Sequence, residues 1–397
     1  MHTVKTSEIG ENTNQPNRIA NFLLLNSSFI DDLGLLHGKM GISIYFFHLA
    51  RQTKNQIYED YAGELIDEIY EELSANTQVE FENGLAGIGW GIEYLVQNNF
   101  IEADTNEVLE EFDIRIFTEL INSTPKEIGP LRGIVGFGVY FLARIQNPTT
   151  KKKKPTHSNR QNLIHIIDEL ERRLQKAQIE KLLNKKASVL EIPINSDSVF
   201  PISETEVAIN TFDISWDYPI LIWFLAELIE QNICYLNVEK IIQRLIDPLK
   251  DDDNLQIPQS NQLFLALSLQ KLIIAGWPHP VENIRTDGIA SQTIPNKLLS
   301  GIDREVIKSE LIPNSATMKY GSLGIAWIYK QLDYFAQGNN YKEELEFWSN
   351  QCLSIDNPSK VFAGFDIEKN DLSLGLMEGL TGIGLFNIIY NCRKLEA

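Results

Sequence analysis

Hydrophobic residues along the chain fall into two alternating kinds of segment. The first kind is striped. Over Asp60 to Leu73, the residues Ala62, Leu65, Ile66, Ile69, Tyr70 and Leu73 recur at helical spacing, while Glu64, Asp67, Glu68, Glu71 and Glu72 take the opposite side. This pattern predicts an outer helix, packed on one side and wet on the other. The second kind is apolar almost all round, as in Ile42 to Leu49, Ile88 to Leu95 and Phe137 to Leu142. These segments predict inner helices covered by their neighbours.

Each inner segment opens on the same short phrase, a Gly, two residues and usually a second Gly. The copies are Leu36-His37-Gly38-Lys39-Met40-Gly41, Glu82-Asn83-Gly84-Leu85-Ala86-Gly87, Leu131-Arg132-Gly133-Ile134-Val135-Gly136, Lys319-Tyr320-Gly321-Ser322-Leu323-Gly324 and Met377-Glu378-Gly379-Leu380-Thr381-Gly382. Gly38, Gly84 and Gly133 are 46 and 49 residues apart, and 188 residues separate Gly133 from Gly321. That gap holds room for two further units without the glycines, near Trp216 to Glu227 and Leu263 to Leu272. A period of this size fits two helices of about 12 to 15 residues with their loops. Wet outer and dry inner helices in alternation close most naturally into a ring. The expected fold is therefore all-α, an α/α toroid of about six to seven helical hairpins forming one domain over residues 1–397, with an open solenoid as the second choice. The repeated glycines let backbones approach closely, and the first turn of each inner helix is expected to leave unpaired N–H groups aimed at one end of the ring. Residues 1–18 are expected as a flexible polar N-terminus and 147–161 as a polar loop excursion. Asn184 to Thr211 and Pro278 to Pro313 read as irregular stretches, the first an extended flap and the second carrying a short helix around Arg304 to Leu311.

Charge narrows the partners. Asp and Glu outnumber Lys and Arg by 54 to 35, a net charge of -19, and the only basic run is Lys151 to Lys154. No basic face for phosphates is evident, so a nucleic-acid partner is not expected. Cys234, Cys352 and Cys392 lie far apart with no CxxC pair, which excludes a disulfide framework and the common structural zinc modules. No signal-type apolar stretch opens the chain and no apolar run approaches the roughly 20 residues of a membrane span. These features predict a cytoplasmic protein.

The chain resembles the lanthionine synthetase C-like (LanC-like) family over about residues 20 to 390. Lys319-Tyr320-Gly321-Ser322-Leu323-Gly324-Ile325-Ala326 is similar to the family's Trp-Cys-Tyr-Gly-Ser-x-Gly phrase, and Met377-Glu378-Gly379-Leu380-Thr381-Gly382 to its Cys-His-Gly-x-x-Gly phrase. The resemblance implies an α/α toroid in which two Cys and one His hold a zinc. That zinc binds the Cys thiol of a precursor peptide, which adds to a dehydroalanine or dehydrobutyrine to close a thioether ring. A free thiol has a pKa of about 8.5, and a dication holds it as the nucleophilic thiolate. Here, however, Lys319 and Met377 stand at the two Cys positions and Glu378 at the His position. Only Glu378 is a zinc donor, and an ammonium repels the metal. The family's other polar groups are altered too: Gly129 stands where an Asp is expected, Ser315 where an Arg is expected, and Asp217 or Trp216 where a His is expected. No family-type zinc site and no cofactor are therefore predicted.

The residue before each motif glycine should point to one end of the ring, together with its neighbours. This gives His37, Arg132, Asp217, Lys319, Tyr320 and Glu378 as candidate site residues, with Asn83 beside them. Lys319 and Arg132 could hold an anion, and His37 or Glu378 could exchange protons. Equally, these side chains could pair among themselves or cap helices. Three functions stay open: a zinc-free LanC-like maturation protein that binds a precursor peptide in the toroid mouth, alone or with a dehydratase; an active metal-independent cyclase; or an unrelated toroid enzyme, such as a glycoside-processing one using Asp217 and Glu378.

Overall fold

The computed structural model describes residues 15–122, 127–147, 157–174, 217–251, 257–277, 287–312, 315–319, 321–335, 341–353 and 374–394. Among them the regular elements are helices. Apart from the short helical turns Ser27–Phe29 and Thr105–Val108, these are in chain order α1 (Gln15–Asn26), α2 (Lys39–Thr53), α3 (Gln56–Glu72), α4 (Leu85–Gln97), α5 (Glu110–Asn122), α6 (Ile134–Gln146), α7 (His157–Arg173) and α8 (Asp217–Glu230). They continue with α9 (Tyr235–Asp251), α10 (Gln259–Ile274), α11 (Asp287–Ser300), α12 (Arg304–Glu310), α13 (Ser322–Phe335), α14 (Lys342–Leu353) and α15 (Leu380–Lys394). The all-α expectation holds, and α12 is the short helix expected around Arg304 to Leu311. By their internal contacts the residues form two compact units, 1–77 with 311–327 and 343–397, and 78–310 with 328–342. No helix among the described residues is long and apolar enough to cross a membrane.

In the first unit the two expected helix kinds pair directly. Inner helix α2 buries Ile42, Tyr45, Phe46 and Leu49, while outer helix α3 buries only the stripe Ala62, Leu65 and Ile69. The Ser43 hydroxyl donates to the Ala62 carbonyl at 2.9 Å. Buried Lys39 reaches Glu72 at 2.5 Å and Glu68 at 3.0 Å, so the acidic side of α3 holds the first residue of α2. The last helix, α15, packs on α1 and α2, with Gly384 against the Tyr45 ring. The end of the chain is thus bound to its beginning.

In the second unit α4, α6, α8 and α10 form a run of inner helices, each packed on the next, with α7 against α6 and α9 against α8 outside them. α8 and α10 are the glycine-less units expected from the spacing; α8 is buried along most of its length and α10 through its middle, Leu263 to Leu269. α10 begins differently from the glycine-led helices: the Glu310 carboxylate accepts the N–H groups of Gln259 and Ser260 at 2.7 and 2.8 Å. A side chain from α12 supplies there what a motif loop supplies elsewhere. The Tyr218 hydroxyl donates to the Leu245 carbonyl and ties α8 to α9. Between α4, α5 and α6 lies a buried ion cluster. Arg144, with a fully buried side chain, donates to Glu93 at 2.5 Å and to both oxygens of Asp113. Tyr140, Asn147 and Asn159 supply further donors to these carboxylates.

The glycine-led loops follow one backbone scheme. The first or second N–H of each helix donates to the carbonyl seven residues earlier: Lys39 to Asp32 at 2.9 Å, Leu85 to Gln78 at 2.9 Å, Ile134 to Glu127 at 3.2 Å, Ser322 to Ser315 at 3.1 Å and Thr381 to Leu374 at 3.2 Å. These N–H groups are therefore not left open, contrary to the sequence expectation, because each loop folds back over its own helix start. The same fold-back explains the glycines. A Cβ at Gly38 or Gly41 would land on the carbonyl oxygen of Asp32 or Leu35, six residues before, well inside contact distance; Gly84, Gly136, Gly324 and Gly382 meet the same obstacle. Two further expectations are corrected at their edges. Residues 15–18 belong to α1, and α7 begins at His157, so the excursion is shorter than 147–161. Asn159, buried and donating to Asp113 at 3.1 Å, fixes that start. Residues 1–14, the Lys151 to Lys154 run, Asn184 to Thr211 and Trp216 lie outside the described residues, as do 278–286 and 313 of the third stretch.

Two outcomes are expected. Replacing Arg144 by Ala leaves Glu93 and Asp113 buried without their cation, a loss of about 3–5 kcal/mol by analogy with other broken buried pairs, measurable by urea denaturation. His48 is pushed down to about 4 by burial, with Arg51 adding to the shift. The unfolded chain takes up that proton near the ordinary value of about 6.5, so stability should fall as pH drops from there towards 4. His48→Gln should lessen the fall in melting temperature between pH 7 and pH 5; unchanged slopes would contradict this.

Candidate functional site

Successive motif loops are laced together by main-chain bonds in one register. In the second unit, the N–H groups of Phe81 and Glu82 both donate to the Leu131 carbonyl, at 3.0 and 2.9 Å. In the first unit, those of Met318 and Lys319 both donate to the Met377 carbonyl, at 3.0 and 3.1 Å, and that of Leu376 donates to Leu36 at 2.7 Å. In each case the acceptor lies two residues before a motif glycine. The last motif loop thereby joins the first.

This register brings side chains into matched pairs. The residue two before the glycine in one repeat meets the residue one before the glycine in the next. Glu82 accepts from Arg132 Nε at 2.6 Å, and Lys319 Nζ lies 3.1 Å from Glu378 Oε1. The two clasps have the same geometry with the charges reversed. Arg132 remains 57% exposed, and hydrogen bonding to Glu82 raises its pKa above the ordinary value. Lys319 and Glu378 are partly buried, at 22% and 18%. Of the expected site residues, Arg132, Lys319 and Glu378 are therefore held in ion pairs between repeats. His37 is partly buried in the loop that receives the last motif loop, and a Cβ at Gly375 would come 2.8 Å from its Cα. Asp217 is buried in the first turn of α8, with its carboxylate over Gly129. Tyr320 lies outside the described residues.

The donor set does not fit a zinc. The positions of the family ligands hold an ammonium, a thioether and a carboxylate, and the ammonium is already bound to the carboxylate. Among the described residues no group of three His, Cys, Asp or Glu could hold a metal ion. Cys352 is no substitute. It is fully buried, its Sγ donates to the Trp348 carbonyl at 3.2 Å and lies 3.2 Å from the Ser322 hydroxyl, and burial pushes its thiol up to about 12. Cys234 sits in the turn between α8 and α9, with its thiol also raised by burial. The side chain of Cys392 lies outside the described residues.

Glu82 was missed as a site residue. Its position in the repeat is that of Lys319, and its opposite charge to Arg132 could have marked the pair, but only if the lacing register were known.

Comparison with known proteins places this geometry in a class. Over 96% of this chain and 93% of the other, the fold matches the solved structure of nisin cyclase, with a TM-score of 0.60 at 16% identity. The likeness is one of fold, the α/α toroid. The lanthionine synthetase C-like protein model matches residues 30–189. Over that stretch the chain is similar to the LanC-like family, as the glycine phrases imply. No curated protein matches it.

Replacing Lys319 by Met, Glu378 by Gln, and both together should reveal a coupling of about 1 kcal/mol or less in denaturation, because the clasp is partly solvated. A coupling above about 3 kcal/mol would mark a dry, structural pair instead. Cys352 should resist alkylation by a maleimide in the folded protein at pH 8 and react fully in denaturant; rapid native labelling would overturn this account of its burial.

Proposed function

We propose that this LanC-like chain takes part in maturation of ribosomally made peptides of the lanthipeptide type, receives a precursor peptide at its motif loops, and works without zinc. The Lys319–Glu378 clasp carries this reading. It puts a fixed positive charge and its carboxylate at the positions where the family resemblance places metal ligands. The motif loops do not depend on a metal for their shape, since backbone bonds join Met318 and Lys319 to Met377 and Leu376 to Leu36.

The neighbouring fold is by name a cyclase, which supports a peptide bearing cysteine and dehydrated residues as the ligand class. Such residues arise by loss of water from Ser or Thr, so a dehydratase is the expected partner. A reducing, cytoplasmic setting agrees with three cysteines that lie far apart in the sequence. The family match lends no support to the carbohydrate-active alternative.

Metal analysis of the purified chain should find no stoichiometric zinc. A variant with Lys319→Cys, Met377→Cys and Glu378→His should take up one equivalent. Zinc at one equivalent in the unaltered protein would sink the reading. For the peptide, a synthetic probe carrying one dehydroalanine and one cysteine should bind with a measurable Kd by fluorescence anisotropy. Absence of binding by this probe and by any dehydrated precursor would count against the function itself.

A further inference from the structure

Outer helix α1 ends in an exposed apolar surface. Its outward positions recur at helical spacing as Arg18, Asn21 and Leu25, and the helical turn Ser27–Phe29 extends the row to Ser28 and Phe29. The row is polar where it starts and apolar where it ends: Leu25 is 72% exposed and Phe29 82%. A third large apolar side chain, Ile57 of α3, is 65% exposed. The two elements meet at this place. The Ser27 hydroxyl is hydrogen-bonded to that of Tyr61, which stands one turn after Ile57 on the same side of α3, and Leu25 and Phe29 are each two residues from Ser27. Single exposed apolar residues are ordinary, but three large ones around one contact between two outer helices make a patch.

The surroundings of the patch are acidic. α3 carries seven carboxylates and no Lys, Arg or His. Lys39 holds Glu68 and Glu72. Asp60, Glu64, Asp67 and Glu71 form an exposed row along the outward side of the helix, and no cation is held to any of them among the described residues. Like charges at this spacing repel one another, so the row destabilises the bare helix. Burial raises the pKa of the Tyr61 hydroxyl, and Glu68 and Glu64 add to the shift, which sets the acidic row beside the Ser27 contact. Asp31, exposed two residues after Phe29, adds a further carboxylate. Arg18, the one basic residue of α1, is two turns away from Leu25.

We propose that this patch and the α3 carboxylates form one docking surface for a basic amphipathic helix of a partner protein. Its Leu or Phe side chains cover Leu25, Phe29 and Ile57, and its Lys or Arg side chains meet Glu64 and Asp67. The inference does not depend on the peptide-maturation reading. Two outer helices side by side offer a groove and no free strand edge, so the mode of docking open to them is a helix laid in that groove. A second copy of this chain is a poor occupant. Packing patch on patch about a two-fold axis brings the two acidic rows into one interface, where like charges oppose association. The same carboxylates repel a bilayer with anionic headgroups. A basic helix supplies both the apolar cover that the patch lacks and the cations that the row lacks.

The probe is a fluorescein-labelled synthetic amphipathic helix of Leu and Lys, titrated with the full chain and followed by anisotropy; the same peptide with Glu in place of Lys is the control. The Leu/Lys helix should bind and the Leu/Glu helix should not, and raising salt from about 0.15 M to about 0.5 M should weaken binding. Leu25→Ser with Phe29→Ser should raise Kd at least about 10-fold, and so should Glu64→Lys with Asp67→Lys. All four positions are exposed, and the two pairs test the surface independently should either fail to fold. Glu110→Lys with Glu111→Lys, exposed on outer helix α5, should leave Kd within about twofold, which separates docking here from general attraction to a chain of net charge -19. An equal loss from the α5 pair, an unaltered Kd in a folded variant of either patch pair, or no binding of the Leu/Lys helix overturns the proposal. So does a dimer in sedimentation that Leu25→Ser with Phe29→Ser abolishes, which would assign the patch to a second copy. Binding of the unaltered chain to phosphatidylcholine vesicles, lost in that same variant, would assign it to a membrane and overturn the proposal as well.

Discussion

The constraint on which the motif loops depend is a backbone one. A loop carbonyl must approach the start of an inner helix closely enough to accept its first N–H groups, and the approach passes over the places where two Cβ atoms would stand. Glycines at those places satisfy four requirements together: the helix start is capped, the loop is short, the next loop is reached, and no side chain is needed for any of it. An orphaned, buried N–H costs about 1–3 kcal/mol, so a loop that caps its helix through main-chain atoms is under steady pressure to remain as it is. Side chains one and two residues before the glycine are under no such pressure.

That separation lets the side chains one and two residues before the glycine differ from repeat to repeat while the loop keeps its shape. The backbone already joins Met318 and Lys319 to Met377 and joins Leu376 to Leu36. An ion at this place would add to the joint without creating it. The Lys319–Glu378 pair sits in the same register as the Glu82–Arg132 pair, with the charges exchanged. The register, rather than either residue, makes such pairing possible, and either polarity serves. Partial exposure keeps both clasps modest in energy.

Deeper in the second unit the balance is different. Arg144 faces two carboxylates with almost no water, and the cluster is stabilised only because every oxygen is offered donors, from Tyr140, Asn147 and Asn159 besides the guanidinium. This is a fixed structural element that holds α4, α5 and α6 in register. Asp217 stands between the two cases. It is buried like Glu93, yet it lies over a motif loop that carries an exposed guanidinium, and the residue facing it is a glycine.

Much of the fold was legible in the sequence, because its determinants are local or periodic. The stripe of Ala62, Leu65 and Ile69, the all-round apolar segments and the Gly-x-x-Gly phrases each act within a helix or its own loop. Even the glycine-less α8 and α10 followed from spacing. The loop fold-back that pairs Lys39 with Asp32 was not foreseen, since glycine spacing reports close approach but not which group approaches. Nor could the sequence show that Glu310 caps α10 from 50 residues away, that Arg132 is held by Glu82, or that Asp217 fills the place left by Gly129. These partners are fixed by how segments distant in the sequence come together, through the main-chain lacing of the motif loops at Glu82 and Arg132 and through the approach of α12 to the start of α10, and no residue type marks that approach.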